Sequence, residues 1–462
     1  MAWYDSAVFY QIHPLSLCGC EQQGVKTEGS HFAELTEWAA HAKKMGCNAI
    51  HIGPVFKADT HGHGIIDYHK IDDRLGINEE FRQWVAQCHD MGMHVVADAV
   101  FNHVGRGFFA FQNLKRDRKK SPYKDWFSNI NFMSDNSYGD GFSYESWGGY
   151  QRLVKLNMTS PWLQDYHFDT VRYWISEFDL DGIRIDAVDE NDYDFIKDLR
   201  KVAQRAKPDF WLMGGLMDDA YDRWVNDKML HSAANNELQK KFVLAHNNGD
   251  YPLISRSVRE TNQQCPYAKL YTYVDNHDVS HIYEKLNQPE HRKLIALLQY
   301  TLYGIPALYC GSEFTGSGKQ NEEEDAEEKS QLKLSDYKNA YEQDPITRLH
   351  CLLGRANQQF PELFFGQYQE MMVSEKLFVY ARVLRKKAMV IAVNCDDQPV
   401  QLEIPLAGYV RQAVNVLDAK ICWEEAFGKG LDLSACEQLP IDDKVLRLEL
   451  PANSGKLIRL MQ

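Results

Sequence analysis

Short apolar runs recur along the chain, separated by amphipathic stretches, the pattern of buried parallel strands alternating with helices. Runs at residues 7–12, 49–55, 94–100, 182–186, 210–214, 229–233, 271–274 and 307–309 each fit one strand. Helical periodicity fills the spaces between them, as at 81–91, where Gly92 supplies a stop, and at 162–178. Strand and helix repeating in this way predict a closed (β/α)8 barrel. An open doubly wound sheet fits less well, because no phosphate-type glycine loop follows an early strand.

The rhythm breaks after the third run. About sixty residues separate it from the next helical stretch, far beyond an ordinary loop, so an inserted subdomain is expected. Its aromatics include Trp126, Phe127, Tyr144, Trp147 and Tyr150, and its basic run at 115–120 reads as a solvated helix face. From about residue 365 the period changes to alternation, at 377–384 and 389–394, which predicts a C-terminal antiparallel β-sandwich. The expected division is a barrel from 1–103 and 162–362, an insert from 104–161 and a β domain from 363–462. The acidic run at 322–328 reads as a solvated loop after the eighth strand.

Composition narrows the function. The chain has 462 residues, 44% of them hydrophobic, and a formal net charge of -14, which disfavours a phosphate-binding nucleic-acid surface. No apolar run is long enough to span a bilayer, and the opening Met1-Ala2-Trp3-Tyr4-Asp5 lacks a leader pattern, so a cytoplasmic protein is expected. The ten cysteines are scattered; Cys18 and Cys20 lie close together, but no pair has the two-residue spacing of a zinc ribbon. Reduced thiols are expected. Cys47 and Cys310, beside apolar runs, read as small hydrophobes rather than nucleophiles.

Barrel enzymes carry their chemistry at the C-terminal ends of strands, and several of these ends are unusually polar. The third reads Asp98-Ala99-Val100-Phe101-Asn102-His103, the fourth Arg184-Ile185-Asp186, and the seventh Asp275-Asn276-His277-Asp278. Asp98 or Asp275 alone would suit a structural salt bridge; together the set looks catalytic. The strings at 98–103, 182–189 and 274–278 resemble the motif regions of the alpha-amylase superfamily, whose fold is a TIM barrel. The opening 7–12, the segment 121–127 and the segment 153–157 add to the resemblance, the last two towards the cyclomaltodextrinase and neopullulanase branch. That branch usually has an N-terminal β domain with no counterpart here, so oligomerisation through it is not expected.

The resemblance implies a retaining mechanism on an α-linked gluco-oligosaccharide, in which one carboxylate attacks the anomeric carbon and a second carboxyl protonates the leaving oxygen. It assigns Asp186 as nucleophile, Arg184 as its electrostatic partner, Asp278 as stabiliser of the transition state, and His103 and His277 as donors to the sugar. At the fifth strand the family's glutamate is replaced by Gly215, which cannot donate a proton. Three origins fit: a laboratory substitution made to trap substrate, a natural pseudoenzyme, or an acid supplied from elsewhere, with Asp218 and Asp219 the nearest carboxylates. Retention of Asp186, Arg184 and Asp278 favours the first. After the second strand, His63 stands where relatives often have a stacking tyrosine and can still stack on the sugar as a substrate-binding residue, Gly64 stands where they often have an aspartate, and the segment around Asp325 and Lys329 lacks an arginine many relatives carry. No cofactor is expected. Calcium near Asn102 is common in the superfamily, but one amide beside a histidine is too few oxygen ligands to assign it.

Overall fold

The computed structural model describes residues 2–20, 29–59, 62–217, 219–277, 281–315, 332–406, 410–423 and 430–461. Its centre is an eight-stranded parallel sheet of β1 (Phe9–Ile12), β2 (Ala49–Ile52), β3 (His94–Ala99), β4 (Gly182–Ile185), β5 (Trp211–Gly214), β6 (Ser232–Ala233), β7 (Tyr271–Tyr273) and β8 (Ile305–Tyr309). Neighbours follow chain order, and β8 returns to pair with β1. A single parallel bridge from Ala234 to Tyr271 closes the remaining seam, so the sheet is the expected barrel.

Side chains alternate across each strand. Phe9, Ala49, Val96, Trp211, Tyr271, Ile305 and Ala307 form an interior core at the barrel floor. Intervening residues such as Tyr10, Ile50, Val95 and Ile183 join the larger cluster under the helices. That outer layer comprises α1 (Phe32–Lys44), α2 (Asn78–Asp90), α3 (Pro161–Phe178), α4 (Tyr193–Ala206), α5 (Asn236–Asn248), α6 (Tyr251–Gln264), α7 (His291–Thr301) and α8 (Pro345–Gln359). In α1 the buried set Phe32, Leu35, Trp38, Ala39 and Ala42 follows the three-to-four spacing of one helix face. In α4 the Asp192 side chain caps Phe195 N–H, and Phe195, Ile196, Leu199 and Ala203 are buried.

Two expectations need correction. The sixth run pairs only over Ser232–Ala233, because the Leu230 backbone bonds instead to Trp224 and Asn226. The link from β5 to β6 carries one short helix, Tyr221–Trp224, rather than a full helical layer.

Between β3 and α3 lies the inserted segment, where His103–Gly105 pairs antiparallel with Leu153–Lys155. Within it Trp126, Phe127 and Phe142 are buried, and Arg118, from the basic run, donates to the carbonyls of Asp140 and Gly141.

C-terminal to the barrel, β9 (Gln367–Val373), β10 (Leu377–Leu384), β11 (Lys387–Asn394), β12 (Val400–Pro405), β13 (Gln412–Asn415), β14 (Ile441–Asp442), β15 (Val445–Leu450) and β16 (Ser454–Met461) form antiparallel sheets. One runs β9-β10-β11-β16-β13, the other β12-β15-β14. Val379, Ala392, Leu402, Ile404, Leu446 and Ile458 pack together between them. Buried Arg382 ties this layer to the barrel by donating to the carbonyls of Gly366, Thr301 and Leu302. No helix among the described residues is long and apolar enough to cross a membrane.

Candidate active site

The period of two that places Phe9, Ala49, Val96 and Trp211 on the barrel floor places Gln11, His51, Asp98 and Met213 one layer higher. Strand register sets their neighbours: Gln11 lies beside His51, Asp98 beside Arg184, and Arg184 beside Met213. Gln11, His51, Arg184 and Met213 line a cavity of about 600 Å³. The same cavity is lined by Asp186, Gly215, His63, His103 and His277. Six of the seven site residues expected from the sequence therefore meet at one place. The seventh, Asp278, lies outside the described residues, as do Asp218, Asp325, Lys329 and the acidic run.

Arg184 organises the charge. Its Nη1 lies 3.1 Å from Asp186 Oδ1 and 3.4 Å from Asp98 Oδ1. Asp98 also accepts from His51 Nε2 at 2.7 Å, and His51 Nδ1 is 3.2 Å from the Tyr271 hydroxyl. Burial alone would push the Asp98 carboxyl up; the fields of Arg184 and His51 outweigh it and hold Asp98 well below the usual carboxylate range. Asp98 is thus a permanent anion that orients Arg184. Asp186 N–H donates to the Ala99 carbonyl, and the next residue, Ala187, takes a left-handed φ of 42°. That conformation, unfavourable for an L residue, turns the chain sharply just after the carboxylate.

His63 and His277, which line the same cavity, belong to a stack of imidazoles. His277 lies between His13, with ring centroids 5.1 Å apart, and His63, at 5.4 Å. His63 Nε2 is also 3.9 Å from Asp98 Oδ2. Burial, followed by the charges of His13, His63 and Arg184, lowers the His277 pKa well below its ordinary value, so the ring is neutral at pH 7. His103 stacks on Trp147 at 4.8 Å, and its Nδ1 is 3.0 Å from Asn102 Oδ1. Asn102 is committed to this local contact, and its carbonyl to Leu156 N–H.

Neutral buried histidines extend beyond the cavity. Burial lowers the pKa of His167 and His246 to about 3 and of His350 to about 4. Each takes up a proton only on unfolding, so its contribution to stability is intact above about pH 6.5 and is lost as pH falls below that value. Urea titrations should therefore show stability falling between pH 7 and pH 5.5, each such group contributing about 1.4 kcal/mol per pH unit below its unfolded pKa. A flat or rising profile across that window would contradict the assignment.

At Gly215 the backbone is fully engaged, its N–H donating to Ile185 O and its carbonyl accepting from Val188 N–H. A Cβ built there would lie 2.8 Å from Arg184 Nη2, the end of a flexible side chain. Asp219 is not among the cavity-lining residues. Burial and the neighbouring Glu237 raise its pKa, the direction a proton donor needs.

Residues 32–352 match the alpha amylase catalytic domain. The chain belongs to the alpha-amylase family. A cyclomaltodextrinase from a Bacillus species is 29% identical over 346 residues, covering 68% of this chain and 60% of that protein. The intracellular maltogenic amylase of Bacillus subtilis is 28% identical over 350 residues, covering 69% of this chain and 57% of that one. The chain thus spans about 60% of the length of these relatives. Among solved structures, a cyclomaltodextrinase superposes with a TM-score of 0.80 at 23% identity, covering 100% of this chain and 78% of that one. The alpha-amylase of Anoxybacillus superposes at 0.79 with 19% identity, covering 100% and 99%. Both share the fold.

Several cavity residues of this alpha-amylase family member carry no strand-end signal. Trp147, Tyr150 and Arg152 come from the insert, and Asn236, Gln239 and Lys240 from the start of α5. Tyr273 OH donates to Asn236 Oδ1, Asn236 Nδ2 to Leu216 O, and Gln239 Nε2 to Val274 O, tying the β5, β6 and β7 loops into one wall. Trp147 was legible only as one of several insert aromatics. Trp126, equally prominent in sequence, is buried among Phe108, Phe109, Tyr123 and Tyr166 instead.

Proposed function

We propose that this chain handles short α-linked gluco-oligosaccharides in the barrel mouth through a retaining hydrolase or transglycosylase site whose acid/base position is empty. The observation that carries this reading is the Asp98–Arg184–Asp186 arrangement beside Gly215, with Arg184, Asp186 and Gly215 lining one cavity. Asp186 is the nucleophile, its carboxylate held 3.1 Å from the Arg184 guanidinium. His277 and His103 present ring nitrogens to sugar hydroxyls, Trp147 offers a face to a glucose ring, and Asp278 acts on the oxocarbenium-like transition state. Loss of general acid catalysis removes about 10²–10⁴-fold in rate, so turnover of natural glucosides is impaired. The relatives' names, cyclomaltodextrinase and maltogenic amylase, support maltodextrins as the substrate class. The intracellular maltogenic amylase among them suits a cytoplasmic place of action.

A second reading, a non-catalytic α-glucan-binding protein on the same scaffold, is favoured by Gly215 alone. Both readings expect saturable maltotriose binding at one site, weakened by about tenfold in Trp147→Ala through loss of a stacking face, by analogy with stacking energies of about 1–3 kcal/mol elsewhere. They part on 4-nitrophenyl α-maltoside, whose leaving group needs little protonation. The enzyme reading expects nitrophenolate release that disappears in Asp186→Asn. Binding without release selects the scaffold reading.

A further inference from the structure

A second cluster of reactive side chains lies apart from the sugar cavity, on the rim segment joining β1 to α1. Cys18, Cys20, His31 and Glu34 converge there. Both thiols are buried, at 4% and 2% exposure. They are aimed by the short helix Pro14–Leu17 and the turn after it, in which Cys18 N–H donates to Pro14 O and Cys20 N–H to Leu15 O. His31 immediately precedes α1 and Glu34 lies in its first turn, so the i,i+3 spacing sets imidazole and carboxylate side by side.

We propose that Cys18, His31 and Glu34 bind one divalent zinc-type cation, with the Cys20 thiol holding the imidazole in place. One ligand atom from each of the three lies within 4.8 Å of the others. The His31 Nδ1 to Glu34 Oε2 distance is 3.5 Å, the length of a tetrahedral edge at zinc with bonds of about 2.0–2.3 Å. The second imidazole nitrogen, Nε2, sits 3.2 Å from Cys20 Sγ, the kind of outer contact that fixes the orientation of a ligating histidine. Sulfur and imidazole in one set select zinc over calcium or magnesium, which prefer oxygen.

The site would pin the rim segment that begins at His13. Because His13 stacks on His277, the cation would stiffen one edge of the sugar cavity without entering it.

The test is cobalt titration of the full chain, stripped with chelator and kept in a non-thiol reductant. One equivalent of Co²⁺ should give a near-ultraviolet thiolate-to-metal band with the intense visible bands of four-coordinate cobalt, both erased by Zn²⁺. Cys18→Ser should lose the ultraviolet band. His31→Ala, at a partly exposed position that tolerates change, should weaken binding by about tenfold or more, which covers the case that Cys18→Ser does not fold. Absence of the thiolate band in the full chain, or its persistence in both variants, overturns the proposal. A Cys18–Cys20 disulfide resistant to the reductant, seen by intact mass, does so as well. None of these readouts involves sugar turnover.

Discussion

Replacing Gly215 with glutamate is expected to raise turnover of maltotriose by about 10²–10⁴-fold, the usual contribution of a positioned general acid. The new Cβ would meet Arg184 Nη2 at 2.8 Å, so the guanidinium must give way by a few tenths of an ångström. It can do so because its contacts at 3.1 Å to Asp186 and 3.4 Å to Asp98 run through Nη1, not through the Nη2 that the new Cβ meets, and the incoming carboxylate attracts it. Gly215→Gln supplies the same volume without a transferable proton and should gain nothing, which separates proton donation from repacking. Product from Gly215→Glu should be α-configured when first released. If glutamate and glutamine behave alike, the general-acid reading of this position fails, although maltotriose binding could persist.

Much of this was written in the chain because barrel strands report their own geometry. A run such as 94–100 is apolar on one side for the helices and on the other for the barrel floor, and turns polar only where it reaches the mouth. Hence Asp98, Arg184 and Asp186 announce themselves. Gln11 and His51 obey the same alternation but are embedded in apolar runs, so period-two reading could have found them and motif reading did not. The sixth strand was overestimated because Met229 and Leu230 are apolar for a different reason: they are buried where the short Tyr221–Trp224 helix meets the barrel. Arg152 and Lys240 were illegible, and Trp147 was legible only as one of several insert aromatics, since their place depends on how an insert and a helix start fold over the mouth. No local pattern encodes that.

Azide should intercept the reaction if Asp186 is a nucleophile facing an empty acid position. From α-glucosyl fluoride the bond to the anomeric carbon can break without a proton donor, because fluoride departs as an anion, leaving a covalent glycosyl ester on Asp186. Water attacks that ester slowly, lacking the base that the missing carboxyl would have supplied. Azide needs no deprotonation and is small enough to enter the space beside Gly215, so it should recover a large part of the about 10²–10⁴-fold deficit. Two inversions at carbon give α-glucosyl azide, and an adduct of one glucosyl unit should be visible by intact mass before azide is added. Asp186→Ala removes the first inversion; the α-azide should disappear and any azide product should be β-configured. A β-azide from the unmodified chain, or an α-azide that survives Asp186→Ala, would remove Asp186 from the nucleophile's role.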